Sequence, residues 1–261
     1  MTDTGSILFN IEAGIAHITL NRPDVGNAMN FELVKALAHA ALACDNDPTV
    51  KVVLISANGR MFCAGGDLKA FSEFGDQAGL RVKELADELH KAISLFARMS
   101  PPIVVAVNGS AAGAGFSLSL IGDYVIAAES AKFTMAYTAA GLSPDGSSTY
   151  YLPRLVGLRR AQELALTNRV LTATEALEWG LVTCVVADSA LRDGALAISR
   201  RMASGPAFAQ SVVKKLLRCS LRNGLEEQME IEGREVSRTA VSQDGKEGIR
   251  AFIEKRKPEF R

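Results

Sequence analysis

Short apolar runs alternate with longer amphipathic stretches through the first two thirds of the chain. The short runs are rich in β-branched residues and predict strands at 7–12, 14–20, 50–56, 103–107 and 124–128. Between them, apolar residues recur at helical spacing and predict helices from Phe31 to Cys44 and from Ala78 to Met99. A glycine-rich loop is predicted at 59–67, and a helix start near Gly113. Strands that alternate with helices are typical of an α/β fold, in which helices cover a sheet.

The last part of the chain has a different pattern. After Ala187 the strand signals disappear, and helical stretches follow at 191–202, 208–220, 225–241 and 246–255. Gly205-Pro206 and Asn223-Gly224 punctuate them, because such pairs favour turns. We therefore predict a core over residues 1–200 and a C-terminal helical region over residues 201–261. That region would pack on the core or on a neighbouring subunit.

The composition narrows the classes of function. Lys and Arg together number 29, as do Asp and Glu, so the chain lacks the excess positive charge typical of nucleic-acid binding, and we expect no nucleic-acid partner. The 4 cysteines form no Cys-x-x-Cys pair and there are only 3 histidines, so neither a metal site nor a disulfide framework is predicted. Glycines interrupt the most apolar run, 103–121, and the polar first residues do not resemble a signal peptide. These features predict a cytoplasmic protein without a membrane partner.

Two glycine-containing loops give the first indication of chemistry. One spans 63–68 and the other 108–115, and each follows a predicted strand. Small residues let a ligand approach the backbone, and free N–H groups at a helix start attract negative charge. Two such donors aimed at one oxygen would form an oxyanion hole, although tight packing alone also explains loops of this kind. Neither loop has the Gly-x-Gly-x-x-Gly or Gly-Lys-Ser/Thr order that cradles nucleotide phosphates.

Short motifs follow one another in order along nearly the whole chain. They are NRP at 21–23, FCAGGDL at 62–68, PIVVAVNG at 102–109, AGAG at 112–115, AKF at 131–133, EALEWGLV at 175–182 and EGIRAFIEKR at 247–256. The ordered set resembles the enoyl-CoA hydratase/isomerase (crotonase) superfamily. The resemblance implies an α/β fold built as a spiral of ββα units, with C-terminal helices that assemble homotrimers, often paired into hexamers. It also implies an acyl-CoA thioester substrate and no separate cofactor, because coenzyme A is part of the substrate.

The resemblance assigns roles to particular positions. The thioester oxygen would accept hydrogen bonds from the backbone N–H groups of Gly66 and Ala114. The positions implied for coenzyme A binding are Arg22, Ala64, Gly65, Asp67, Leu68, Phe252 and Lys255. We expect Asp67 to order its loop through local hydrogen bonds rather than to do chemistry. The acyl pocket is expected to be lined by residues 71–89 and Tyr137.

The chain departs from the pattern of typical hydratases of this superfamily, in which two glutamates hold the water that adds to the double bond. One glutamate lies two residues after the last glycine of the Gly-rich run, and here that position is Ser117. The other follows a proline after the AKF strand, and here the pair is Ala136-Tyr137. An unactivated hydroxyl is too weak a base to replace a carboxylate near neutral pH. The sequence therefore argues against water addition by the usual mechanism.

A different carboxylate, Asp145, is present between Pro144 and Gly146. A turn-forming role is one interpretation, because Pro-Asp-Gly is a common turn. Double-bond isomerases of the superfamily have their acid/base carboxylate at this place, however, and the ring-epoxide isomerase of phenylacetate breakdown has a similar segment. Residues 111–180 resemble that branch most. We therefore predict that Asp145 takes a proton from an unsaturated acyl-CoA and returns it at the other end of the conjugated system.

His90 keeps a second reaction open. Its position resembles that of the general base in 4-chlorobenzoyl-CoA dehalogenase, where an aspartate at the Asp145 position attacks the ring. Against this interpretation, Leu89 and Tyr137 stand where that enzyme has tryptophans. A residual hydratase and a non-catalytic acyl-CoA binder are further alternatives, and the binder would need Asp145 to turn away from the pocket.

Overall fold

The computed structural model describes residues 2–3 and 5–260. Its strands are β1 (Thr2–Asp3), β2 (Ile7–Glu12), β3 (Ile15–Leu20), β4 (Val52–Ala57), β5 (Met61–Cys63), β6 (Ile103–Val107), β7 (Ser110–Ala112), β8 (Tyr124–Ala128), β9 (Lys132–Thr134), β10 (Leu171–Thr172) and β11 (Cys184–Val186). Its α-helices are α1 (Phe31–Asn46), α2 (Leu68–Ser72), α3 (Ala78–Arg98), α4 (Ala114–Ser119), α5 (Ser148–Val156), α6 (Leu158–Thr167), α7 (Ala173–Glu178), α8 (Leu191–Ala203), α9 (Ala207–Ser220), α10 (Leu225–Ala240) and α11 (Gln243–Ile253).

The strands form two sheets. The larger has the order β1-β2-β3-β4-β6-β8-β11, antiparallel from β1 to β3 and parallel from β3 onward. The smaller has the order β10-β9-β7-β5 and is parallel except for the β10–β9 pair. Successive units place one strand in each sheet, β4 with β5, β6 with β7 and β8 with β9, and helices follow each unit. This confirms the predicted α/β spiral of ββα units.

The apolar runs of the central strands reflect burial on both faces of the larger sheet. Alternate residues of β6, such as Val105, enter the main core with α1 and α3. The residues between them, such as Val104, pack on the opposite face against α8. A strand covered on both faces has no polar side, so it appears in the sequence as a continuous apolar run.

Most predicted elements are present, with small shifts at their ends, but the prediction of a continuous loop at 59–67 is wrong. That segment contains β5, which forms because Met61 and Cys63 pair with Ser110 and Ala111 of β7. A strand of 3 residues has no local periodicity to reveal it. The predicted boundary after residue 200 falls inside α8, which continues to Ala203. The division into a core and a C-terminal region itself stays a prediction.

A buried lysine attaches the C-terminal helices to the core. Lys214 Nζ on α9 forms an ion pair with Asp123 Oδ2 at 2.9 Å. The same ammonium donates hydrogen bonds to the carbonyl oxygens of Pro101 at 3.0 Å and Phe96 at 3.3 Å. Burial lowers the pKa of Lys214, and the Asp123 carboxylate opposes that shift. The C-terminal helices are thus connected to the core by the buried ammonium group of Lys214, which donates its hydrogen bonds to core residues.

The remaining surface of the C-terminal helices is rich in exposed apolar side chains. Examples in or beside α9, α10 and α11 are Leu217, Leu221, Leu225, Val236, Phe252 and Ile253. The predicted homotrimer or hexamer would bury such residues, and that assembly stays a prediction. No helix in the described part of the chain is both long enough and apolar enough to cross a membrane.

We expect Lys214→Met to lower the free energy of unfolding by roughly 2–3 kcal/mol, because it removes the cationic partner of the Asp123 carboxylate and leaves two carbonyl oxygens without the ammonium that donates to them. Lys215→Met is the matched control, since the neighbouring Lys215 is half-exposed and pairs with Glu235 at 2.9 Å. Glu235 also pairs with Arg238 at 2.9 Å, so its carboxylate keeps a partner in the control, and Lys215→Met should lose less stability than Lys214→Met. Urea unfolding of both variants measures the difference, and equal losses would contradict the anchoring role of Lys214.

Candidate active site

A cavity of about 350 Å³ lies between the glycine loop after β5, the helices α2 and α3, the start of α4 and the segment before α5. Its wall from α2 and α3 is apolar and consists mainly of Phe71, Val82, Leu85, Ala86 and Leu89. This wall and Tyr137 are among the residues expected to line the acyl pocket, and the binding of an acyl group there stays a prediction. Among the described residues that line the cavity, Asp145 is the one acidic residue and Lys83 the one basic residue.

Gly66 lines the cavity, in a loop that is held by the hydrogen bonds of its two neighbours. Met29 N donates to Gly65 O at 2.7 Å, and Asp67 N donates to Met29 O at 3.0 Å, so both neighbours of Gly66 are paired with the same residue. Gly66 itself lines the cavity, and no hydrogen bond of the described residues uses its N–H. A Cβ at this position would lie 2.9 Å from Cζ of Phe71, so the ring packs directly over the glycine. Gly66 therefore presents an unpaired donor to the cavity.

A second unpaired donor comes from the start of α4. Ala114 is the first residue of this helix and lines the cavity, and the N–H groups of a first helical turn have no partner within the helix. No hydrogen bond of the described residues uses the Ala114 N–H either. Gly115 lets α4 approach β5, because a Cβ there would lie 2.4 Å from Cys63 O. The close packing of α4 on β5 thus brings both donors to one cavity.

Arg22 and Asp67 order the loop that contains Gly66. Asp67 Oδ1 accepts a hydrogen bond from Ala70 N at 3.2 Å and so caps α2. Arg22 Nη2 lies 3.3 Å from Asp67 Oδ2, and the same guanidinium donates to the carbonyl oxygen of Ala28. This is the local hydrogen-bonding role expected of Asp67. Neither side chain lines the cavity, whereas the predicted neighbours Ala64, Gly65 and Leu68 do.

Asp145 is held by hydrogen bonds at both its side chain and its backbone. Tyr137 Oη donates to Asp145 Oδ1 at 2.7 Å, and Ser117 Oγ lies 2.9 Å from Tyr137 Oη. The carbonyl oxygen of Asp145 accepts from Ser117 Oγ at 3.1 Å, and from Ser148 through its hydroxyl at 2.9 Å and its backbone N–H at 3.2 Å. Sequence reasoning treated Ser117 only as the place of a missing glutamate. The signal that could have revealed its role was the presence of hydroxyl groups at or beside both glutamate positions.

His90 lies next to the Asp145 loop but does not line the cavity. Its Nε2 accepts a hydrogen bond from Gly146 N at 3.1 Å. This bond requires an unprotonated Nε2, so its lone pair is occupied. Gly146 has a φ of +60°, and a Cβ there would lie 2.8 Å from the Ser117 Cβ. His90 and the tight packing on Ser117 therefore both determine the path of the chain beside Asp145.

Burial controls the ionisation of two groups near the cavity. The pKa of Tyr137 is raised first by burial and second by the negative charge of Asp145, so the phenol keeps its proton. Burial likewise raises the pKa of the Cys63 thiol to about 12, which makes it a poor nucleophile. Lys83 Nζ is paired with Asp87 at 2.6 Å. Within the described residues, no group of three or more His, Cys, Asp or Glu side chains is placed to hold a metal ion.

Besides Arg22 and Asp67, two further predicted coenzyme A positions do not line this cavity. Phe252 lies near the end of α11 and Lys255 beyond it, and both are exposed. Neither lines the cavity within the described chain. Their part in binding coenzyme A stays a prediction.

Comparisons with known proteins agree on one family. The chain matches the family model Enoyl-CoA hydratase/isomerase over residues 10–261. It is 39% identical over 259 residues to 1,2-epoxyphenylacetyl-CoA isomerase of Escherichia coli (strain K12), with 97% of each chain covered. It is 36% identical over 206 residues to 4-chlorobenzoyl coenzyme A dehalogenase-2 of Arthrobacter sp., with 77% of this chain and 73% of the relative covered. An enoyl-CoA hydratase structure from Polaromonas sp. JS666 superposes with a TM-score of 0.94 at 33% identity, covering 98% of this chain and 100% of that one.

We expect Gly146→Ala to lower the free energy of unfolding by about 3 kcal/mol, because left-handed strain adds to the clash with Ser117. Gly141→Ala is the matched control: it has a φ of +70° in the same loop, and no described atom lies within 4 Å of an added Cβ. That control should lose only about 1 kcal/mol, the cost of the backbone strain alone. Thermal unfolding of both variants tests this, and equal costs would mean that the contact with Ser117 contributes nothing.

Proposed function

The chain belongs to the enoyl-CoA hydratase/isomerase family, as its motif order predicted, and we propose that it is an isomerase that shifts a double bond in an unsaturated acyl-CoA. The observation on which the proposal depends is that Asp145 is the one acidic residue among the described residues lining an otherwise apolar cavity. The same cavity contains the unpaired N–H groups of Gly66 and Ala114. A single base beside two convergent donors suits a reaction that forms and then quenches an enolate.

The proposed reaction is a proton transfer between two carbons of the substrate. The Asp145 carboxylate takes a proton from the carbon next to the thioester of a β,γ-unsaturated acyl-CoA. The electron pair of the broken C–H bond spreads into a dienolate, and Gly66 and Ala114 donate hydrogen bonds to its oxygen. Asp145 then returns the proton to the γ carbon, which leaves an α,β double bond. One such backbone donor lowers a barrier of this type by roughly 3 kcal/mol.

The hydroxyl groups of the site support isomerisation over water addition. Ser117 Oγ and Tyr137 Oη bind each other and Asp145, at the place where hydratases of the family have water-holding glutamates. Tyr137 keeps its proton because burial and Asp145 raise its pKa, so it is not a base near neutral pH. The similarity to the Escherichia coli isomerase points the same way.

The dehalogenase alternative draws support from the similarity to the Arthrobacter enzyme, and the geometry of His90 argues against it. A general base needs a free lone pair facing the substrate, but Nε2 of His90 accepts the Gly146 N–H and the residue does not line the cavity. The non-catalytic alternative required Asp145 to turn away from the pocket. Asp145 instead lines it, which favours a catalytic role.

The proposed function is tested by Asp145→Asn, which keeps the shape of the side chain and removes its basicity. We expect wild-type protein to convert a β,γ-enoyl-CoA to its α,β isomer at constant mass, and the variant to be roughly 100- to 10,000-fold slower. Ultraviolet absorbance and mass spectrometry follow the reaction. Asp76→Asn is the control, because Asp76 is an exposed carboxylate outside the cavity. A mass gain of water on an α,β-enoyl-CoA, or unimpaired isomerisation by Asp145→Asn, would overturn the proposal.

His90 variants separate the isomerase from the dehalogenase interpretation. A glutamine at this position offers an oxygen that can accept the Gly146 N–H, whereas alanine cannot. We therefore expect His90→Gln to keep most isomerase activity and His90→Ala to lose about tenfold or less through a displaced Asp145. The assay panel includes 4-chlorobenzoyl-CoA, with chloride release as the readout. Chloride release by wild type that both variants abolish would instead make His90 the base of a dehalogenase.

A further inference from the structure

We infer that Tyr137 and Ser117 are positioning residues: the Tyr137 hydroxyl, held by Ser117, binds Oδ1 of Asp145 and leaves Oδ2 as the one oxygen that works on the substrate. This inference rests on the proposed function of Asp145 and deepens it. Both hydroxyl-bearing side chains are buried, Tyr137 being 9% and Ser117 0% exposed. Buried hydroxyl groups are nearly always hydrogen-bonded, and here the two bond to each other and to Asp145.

The protons available to the pair determine the direction of each bond. Tyr137 has one hydroxyl proton, and Asp145 Oδ1 lies 2.7 Å from its oxygen. A bond to a carboxylate is stronger than one to a neutral acceptor, so the phenol proton points at Oδ1. Ser117 has one hydroxyl proton and three acceptors within reach: Tyr137 Oη at 2.9 Å, the Asp145 carbonyl oxygen at 3.1 Å and the Gly113 carbonyl oxygen at 3.3 Å. The two nearer acceptors belong to Tyr137 and Asp145, so Ser117 is placed to hold that pair.

The other oxygen of the carboxylate is left for the reaction. No hydrogen bond of the described residues uses Asp145 Oδ2, and Asp145 lines the cavity. The Asp145 backbone cannot turn freely, because its carbonyl oxygen accepts bonds from Ser117 and Ser148. One fixed oxygen that both removes and returns the proton suits a transfer between carbons on the same face of a bound dienolate.

Few other charged groups surround Asp145. On α3, His90 accepts the Gly146 N–H, and Lys83 lines the cavity but pairs with Asp87. On the remaining described elements packed against the Asp145 loop, the neighbouring groups are the neutral hydroxyls of Ser117, Tyr137 and Ser148. The Tyr137 hydroxyl is therefore the direct side-chain hydrogen-bond donor to the Asp145 carboxylate, and its removal should make that carboxylate bind a proton more readily.

The test is a titration of the Asp145 carboxyl by carbon-13 NMR in protein labelled at the aspartate side-chain carboxyls, with the resonance identified by its loss in Asp145→Asn. In Tyr137→Phe we expect the titration midpoint to rise by roughly one pH unit, because a hydrogen bond to the charged form is lost. Ser117→Ala should raise it less, and the double variant no more than Tyr137→Phe, since Ser117 acts through Tyr137. Ser117→Ala keeps the phenol in place and serves as the second test if Tyr137→Phe folds poorly.

Matched controls exist for both substitutions. For Tyr137→Phe the control is Tyr151→Phe, which removes the hydroxyl of half-buried Tyr151 on the neighbouring α5. For Ser117→Ala the control is Ser119→Ala: Ser119 lies on the same helix as Ser117, and its buried hydroxyl donates to Phe116 O. Neither should move the Asp145 midpoint. In the isomerase assay, Tyr137→Phe should lower kcat roughly ten- to hundredfold with KM nearly unchanged, because the base is displaced while the binding surface is kept.

The outcomes separate the inference from the proposed function. An Asp145 midpoint that is the same in Tyr137→Phe, Ser117→Ala and wild type overturns the inference, whatever the kinetics. If the midpoint rises in Tyr137→Phe but the wild-type protein isomerises no enoyl-CoA, the hydrogen-bonded unit is supported and the isomerase proposal is rejected. A raised midpoint together with a selective loss of kcat supports both.

Discussion

The close contact between β5 and α4 is the constraint on which the rest of the site depends. Gly115 allows it, because any side chain there would overlap the carbonyl oxygen of Cys63. Gly65 adds to it, since a Cβ at that position would lie 3.0 Å from Ala112 O. With the two segments this close, the unpaired N–H groups of Gly66 and Ala114 reach one cavity. Donors fixed by the backbone need no rearrangement when negative charge develops on a substrate oxygen, which is why such an arrangement is effective.

The same short helix also contacts the Asp145 loop. α4 begins with the donor Ala114 and presents Ser117 one turn later to Tyr137 and to the Asp145 carbonyl oxygen. The Asp145 loop can lie against α4 only because residue 146 is glycine. The Ala114 N–H and the Asp145 carboxylate are therefore both positioned relative to α4. A displacement of α4 would disturb both, and a change that spares α4 should leave the relative geometry intact.

This chain differs from hydratases of the family at a few buried polar positions. Where hydratases of the family have glutamates, this chain has a serine and a tyrosine-containing segment, and these hydroxyls bind a carboxylate that comes from a different loop. The fold remains that of the family. Relatives of this fold are named as an isomerase, a dehalogenase and a hydratase.

The sequence by itself determined the α/β class, the buried strands, the family and the loops that hold Gly66, Ala114 and Asp145. These features depend on local periodicity, on glycines and on motifs that are contiguous in the chain, so the sequence is enough to predict them. Only the tertiary structure revealed β5, the occupied lone pair of His90 and the hydrogen-bonded unit of Ser117, Tyr137 and Asp145. Each of these joins residues far apart in the chain: His90 and Gly146 are 56 positions apart, and Ser117 and Tyr137 are 20 positions apart. Such contacts are set by how sheets and helices pack, and a one-dimensional pattern does not specify which distant side chains will meet.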